Sequence, residues 1–159
     1  MERRTREEIA NVARLTRVDG DAEAPYWVVR RRRLERLASL LDAHKEPLQL
    51  FLAMEYLPKN EQLALRQPGS PFAIAYEDPF FRCEGLASDS VGDGMVFFKL
   101  SLSQVHALFC ECNYVHSPQQ DAAKLVVKRI RSFAAKRTFA EFCSKLKAMV
   151  EQRSKHGQA

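Results

Sequence analysis

Apolar residues recur at helical spacing along most of the chain, and the polar residues between them carry the punctuation of helix ends. Thr5-x-x-Glu8 has the form of a capping box and is followed by Ile9, Val12 and Ala13. It predicts a first helix that ends in the stretch 18–25, where Gly20 and Pro25 stand. A second helix is expected from Tyr26 to His44. Trp27, Leu34, Leu37, Ala38 and Leu41 fall on one side of it, and Arg32, Arg33 and Arg36 on the other. Pro47 suits the first turn of a third helix, PLQLFLAMEYL, whose apolar residues cover most of the circumference and so predict burial. Residues 58–70 read as a turn or two of helix and then a loop.

Two short helices follow. Ser70-Pro71 and Asp78-Pro79 each place a capping side chain before a proline, and Gly85 suits a left-handed end. FAIAY could instead form a short buried strand, but the chain offers no second strand to pair with it. Helices are then expected over 90–98, after the capping box Ser101-x-x-Gln104, and from Ser117-Pro118-x-Gln120 to Ala135. In the last of these Ala122, Val126, Ile130 and Phe133 line one face, and Lys124, Lys128 and Arg131 the opposite one. Thr138-x-x-Glu141 opens a final helix with a stripe of Phe139, Phe142, Cys143, Leu146, Met149 and Val150.

The expected fold is all-α: a single compact orthogonal domain over 1–151 with about seven to nine helices. Its two long C-terminal helices should pair antiparallel around Ile130, Phe133, Phe142 and Leu146. Residues 152–159 should fray. No internal repeat or low-complexity segment appears.

Composition narrows the class. The 159 residues suit one domain and can bury a core without disulfide or metal staples. The apolar share of 46% and charged share of 28% are those of a soluble globular protein. No apolar run is long enough to span a bilayer, so no membrane role is expected. The charged N-terminus has no apolar core of a secretory signal. Four cysteines without such a signal read as reduced thiols in a cytoplasmic protein. The net charge of +5 is uneven: residues 67–117 hold 2 basic and 6 acidic side chains, and residues 118–159 hold 10 and 3. A basic end beside an acidic middle points to attraction within the molecule, or to an acidic partner.

The densest set of reactive side chains is SLSQVHALFCECNYVH, residues 101–116. His106 and Cys110 lie one helical turn apart and share a face, which makes them the candidate pair for a metal or a thiol nucleophile. Cys112 falls about 200° round the helix from Cys110, so both thiolates meet one ion only if the helix ends between them. On a continuous helix Leu102, Val105, Phe109 and Cys112 form the buried stripe, His106 and Cys110 sit on its edge, and His116 lies beyond the end. No metal and no cofactor are therefore assigned.

The stretch 91–109 has the rhythm of a helix-turn-helix, with Met95, Phe98, Leu100, Val105 and Leu108 at the packing positions. Lys99 occupies the turn where glycine is common. No Arg or Lys faces outward on the second helix, although Gln104 could read adenine. DGDAEAPYWVVR (Asp19 to Arg30) fails as a calcium loop, because Ala24 and Arg30 stand where Gly and Glu are needed. The chain has no G-x-S-x-G, P-loop or H-E-x-x-H, and VGDGM follows no strand, so no catalytic constellation is complete.

The expectation is a small cytoplasmic, non-enzymatic helical module that binds another protein, for which the basic helices would suit an acidic surface. Nucleic-acid binding is the alternative, and a thiol or metal site at His106 and Cys110 the second alternative. Contacts to an anionic partner would fall to Arg32, Arg33, Arg36, Lys124, Lys128 and Arg131. The run Arg30–Arg33 fans over about 300° of a helix, which favours solvated or salt-bridged roles over a single patch.

Overall fold

A computed structural model describes residues 24–114, 119–136 and 139–156. The first helix, the caps at Ser117 and Thr138, and His116 lie outside the described residues. Eight α-helices and no strand occur among them: α1 (Tyr26–Ala43), α2 (Lys59–Ala64), α3 (Pro71–Glu77), α4 (Pro79–Cys83), α5 (Val91–Phe98), α6 (Leu102–Phe109), α7 (Gln119–Ala135) and α8 (Phe139–His156). The fold is all-α, and no described helix is long and apolar enough to cross a membrane.

The short helices begin where capping chemistry predicts. The Ser70 hydroxyl accepts from the Ala73 N–H and the Asp78 carboxylate from the Phe80 N–H, each ahead of a proline that has no N–H to satisfy. Ser90 caps α5 in the same way. FAIAY lies in α3, with Phe72 to Ala75 buried and Tyr76 partly so.

The core is aromatic. Phe72 on α3 stacks on Phe98 of α5 with 5.8 Å between centroids and meets Phe109 of α6 edge-on at 5.3 Å. Phe51, Phe72, Phe81, Phe98 and Phe109 are all fully buried. The apolar side of α1 (Leu34, Leu37, Ala38, Leu41) and Val126, Val127 and Ile130 of α7 complete it, with α1 and α7 packed along each other.

Two expectations change here. Residues 44–53 are not a helix; only Met54–Tyr56 form a single 3-10 turn. The reason is backbone pairing. The Phe51 N–H donates to the Phe109 carbonyl at 2.9 Å and the Glu111 N–H to the Phe51 carbonyl at 3.0 Å, while the Gln49 N–H donates to Gly69. Leu50, Phe51 and Met54 are buried, and Leu52 and Tyr56 are exposed. The seam expected between the last two helices is also altered. Ile130 is buried, but Phe142 and Leu146 are 51% and 44% exposed, and α7 packs on α1. Helix α8 continues to His156, into the stretch expected to fray.

The arginine run ties elements together. Arg31 donates to the Ala134 carbonyl and to Glu141 on α8. Arg32 and Arg33 share Glu84, and Arg33 also donates to the Phe97 carbonyl while lying over that ring at 3.9 Å. Arg36 forks onto Asp78 at 2.6 and 3.1 Å and covers Phe80. Charge pairing combined with aromatic stacking suits the planar guanidinium.

Candidate metal-binding site

The capping box of α6 is complete: the Ser101 hydroxyl accepts from the Gln104 N–H and the Gln104 side chain accepts from the Ser101 N–H. Gln104, the residue proposed to read a base, is thus occupied in the cap. The helix ends at Phe109. Cys110 is extended (φ −80°, ψ 133°), and its N–H still reaches the His106 carbonyl. Two side chains then fold the chain back under the helix end. Asn113 donates to the His106 carbonyl at 2.8 Å, and the Tyr114 hydroxyl donates to the Leu108 carbonyl at 2.6 Å. Tyr114 thus satisfies a carbonyl that the helix terminus leaves without an intrahelical partner, and Asn113 adds a second donor to the His106 carbonyl that the Cys110 N–H already engages.

This turn, Glu111–Tyr114, reverses the expected places of the two cysteines. Cys110 is fully buried and Cys112 is exposed. Cys112 therefore does not enter the core stripe, because the helix ends before it and the 200° separation no longer applies. Its Sγ lies 3.1 Å from Cys110 Sγ and 3.5 Å from His106 Nε2.

The fourth member comes from the segment paired with Cys110. Beyond Phe51 the chain turns through Ala53 in the left-handed region (φ 49°), and buried Met54 anchors the 3-10 turn. Glu55 then points at the cysteines. Its Oε2 accepts from the Cys110 thiol at 3.4 Å and lies 3.6 Å from His106 Nε2. The donor atoms of Glu55, His106, Cys110 and Cys112 all lie within 4.8 Å of one another.

Electrostatics act in opposite directions on Cys110 and Glu55. Burial pushes the Cys110 thiol up to about 12, helped by its contacts with Cys112 and Glu55. A hydrogen bond from its own backbone N–H holds the Glu55 carboxyl below its ordinary value, against a smaller opposing effect of burial; the Cys110 thiol and His106 add to the lowering.

The placement of neighbours around His106 bears on the choice between metal binding and thiol catalysis. A Cys–His–carboxylate relay uses the two ring nitrogens on opposite sides, one for the thiol and one for the carboxylate. Here both Cys112 and Glu55 approach Nε2 of His106. Tetrahedral zinc, with bonds of about 2.0–2.3 Å, places neighbouring donors roughly 3.3–3.8 Å apart. Four of the six donor pairs stand 3.1–3.6 Å apart and all six lie within 4.8 Å, so an ion would draw the set together while the two sulfurs, now at 3.1 Å, open to roughly 3.8 Å.

The other site residues are scattered. Arg32, Arg33 and Arg36 are paired to Glu84 and Asp78, and Arg131 lies 3.3 Å from Asp42. Lys124 and Lys128 are exposed on α7 and have no carboxylate partner among the described residues. Lys128 joins Arg129, Lys136, Leu125 and Phe133 along a cleft of about 600 Å3 between α6 and α7. Glu55 escaped the sequence because it lies far from the cysteines in the chain and belongs to no motif with them. Cys112 was conditional on a helix end between it and Cys110, which no Gly or Asn directly after the cap signalled.

The chain matches no known family model, no curated protein and no solved structure.

Proposed function

We propose that the protein binds a thiophilic transition-metal ion of the zinc class through Cys110, Cys112, His106 and Glu55. The observation that carries this reading is convergence: four donors of the right chemistry, drawn from two segments, aim at one point and share one imidazole nitrogen. Two thiolates and an imidazole favour zinc over calcium or magnesium, which prefer oxygen. Four protein ligands describe a closed site, suited to holding metal rather than to activating water. The ion would clamp the 50–56 segment onto the end of α6, where two backbone bonds already join them.

The test is metal titration of the reduced, chelator-treated chain. Zinc should bind one per chain. Cobalt should give the intense visible bands of a tetrahedral site and a thiolate-to-metal charge-transfer band. Cys112→Ser and His106→Ala should each weaken binding by more than the roughly 10–100-fold typical of outer-shell changes. A folded chain that takes up neither ion at equimolar concentration would overturn the reading.

A second reading, contact with an anionic partner, rests on the cleft lined by Lys128, Arg129 and Lys136 with an apolar floor of Leu125 and Phe133. Lys124, exposed on the same helix, extends its positive charge. Binding of nucleic acid in a gel shift that weakens steeply with salt and with Lys128→Glu is the expected result; no shift at low salt would end this reading for nucleic acid.

A further inference from the structure

We infer that Cys110 and Cys112 are also a dithiol modification site for a hydroperoxide oxidant, whose oxidation to a disulfide ejects the metal. The inference rests on the metal-binding reading and adds its regulation. Three placements carry it. The two sulfurs are reduced and lie 3.1 Å apart, so bond formation needs only a small further approach. Cys112 is exposed to a diffusing oxidant, and Cys110, fully buried beside it, is shielded from direct attack. The extended backbone at Cys110 and the 3-10 turn after it bring the buried sulfur against the exposed one.

The chemistry balances. The Cys112 thiolate attacks the terminal oxygen of a hydroperoxide. A sulfur–oxygen bond forms, the O–O bond breaks, and the alkoxide leaves as an alcohol after gaining a proton from the solvent that reaches exposed Cys112. Cys112 is now a sulfenic acid. Cys110 sulfur attacks Cys112 sulfur, the S–S bond forms, and hydroxide leaves as water with one further proton. Two thiolates, one hydroperoxide and two protons become one disulfide, one alcohol and one water. The sulfurs have lost two electrons, and the peroxide has gained them. Neither sulfur then offers a thiolate, so the ion keeps only His106 and Glu55, too few to hold zinc tightly.

The other cysteines, Cys83 and Cys143, can be removed from the measurement by Cys83→Ser and Cys143→Ser, with the unmodified chain run in parallel. Zinc uptake is measured first. Hydrogen peroxide is then added while a colorimetric chelator reports free zinc and mass spectrometry maps residues 110–112. The expected result is one zinc released per peroxide consumed, a peptide lighter by two hydrogens, and recovery of binding after dithiothreitol. Zinc retained at full thiol oxidation overturns the switch, as does release with a sulfinic acid on Cys112 and no Cys110–Cys112 bond. A chain that never takes up zinc overturns the metal-binding reading before any peroxide is added, and the ejection with it.

Discussion

Lys99 takes φ 55° and ψ 47° at the end of α5, a conformation that costs a side-chain-bearing residue roughly 1–2 kcal/mol and glycine almost nothing. It is exposed, and substitution removes no packed side chain. Glycine's extra freedom in the unfolded chain returns about 0.5–1 kcal/mol of that gain. Lys99→Gly should therefore stabilise the protein by about 0.5–1 kcal/mol, read as a raised urea midpoint at constant slope; a lower midpoint would count against this account of the turn. Gly94, five residues earlier on the buried side, has the opposite sign. A Cβ there would stand 2.7 Å from three ring atoms of Phe72, whose ring is fully buried and stacked on Phe98. Gly94→Ala gains about 1 kcal/mol of helix propensity. The overpacking costs typically 1–3 kcal/mol, and here the ring has no free side to move toward. A net loss of roughly 1–2 kcal/mol in the same denaturation experiment is expected. The two glycines of VGDGM were visible in the sequence, but the reason for the second, a ring from a helix some twenty residues earlier, was not.

At the scale of elements, the sequence was legible where a signal is local. Ser70, Asp78 and Ser101 cap the helices they were expected to cap, and Ser90 caps the helix expected to begin at it, because a cap depends on residues within one turn. It misled over 47–57, where apolar residues on every side gave no helical face a preference. Pairing of Phe51 with Phe109 and Glu111, about sixty residues on, supplied a competing home for the backbone. It misled again at α8, where a clean stripe implied a partner. Phe142, Leu146 and Met149 are all about half exposed, and Glu141 near the start of α8 pairs with Arg31 of α1. A stripe made of well-spaced apolar residues states that a helix can pack, not what it packs against. Phe142→Ser and Leu146→Ser should accordingly each cost under about 1 kcal/mol, against the 2–5 kcal/mol of a buried deletion such as Ile130→Ala. Losses of 3 kcal/mol or more in either α8 variant would mean that this face is covered in the folded chain.

At the scale of the whole molecule, the candidate site joins what the chain keeps apart: Glu55 from the first half and His106, Cys110 and Cys112 from the second. Metal bound there would stabilise the folded state alone, by an amount that grows with affinity and free ion. Proton competition gives this coupling a definite sign. Buried Cys110 holds its proton up to about 12, so at any ordinary pH it must release that proton to ligate. Binding therefore gains at least about tenfold per unit rise in pH, equivalent to about 1.4 kcal/mol of added stabilisation at a fixed excess of free zinc. The melting temperature of the zinc-loaded chain minus that of the chelated chain should widen from pH 6 to pH 8, by the equivalent of roughly 2.7 kcal/mol or more. Free zinc must be buffered equally at each pH, because the buffer's own protonation would otherwise imitate the trend. Cys110→Ala should flatten the slope by about one power of ten per pH unit even if weaker binding persists through the remaining donors. A difference that stays constant across this range would show that Cys110 remains a thiol, and that whatever metal binds does so without the buried sulfur at the centre of the cluster.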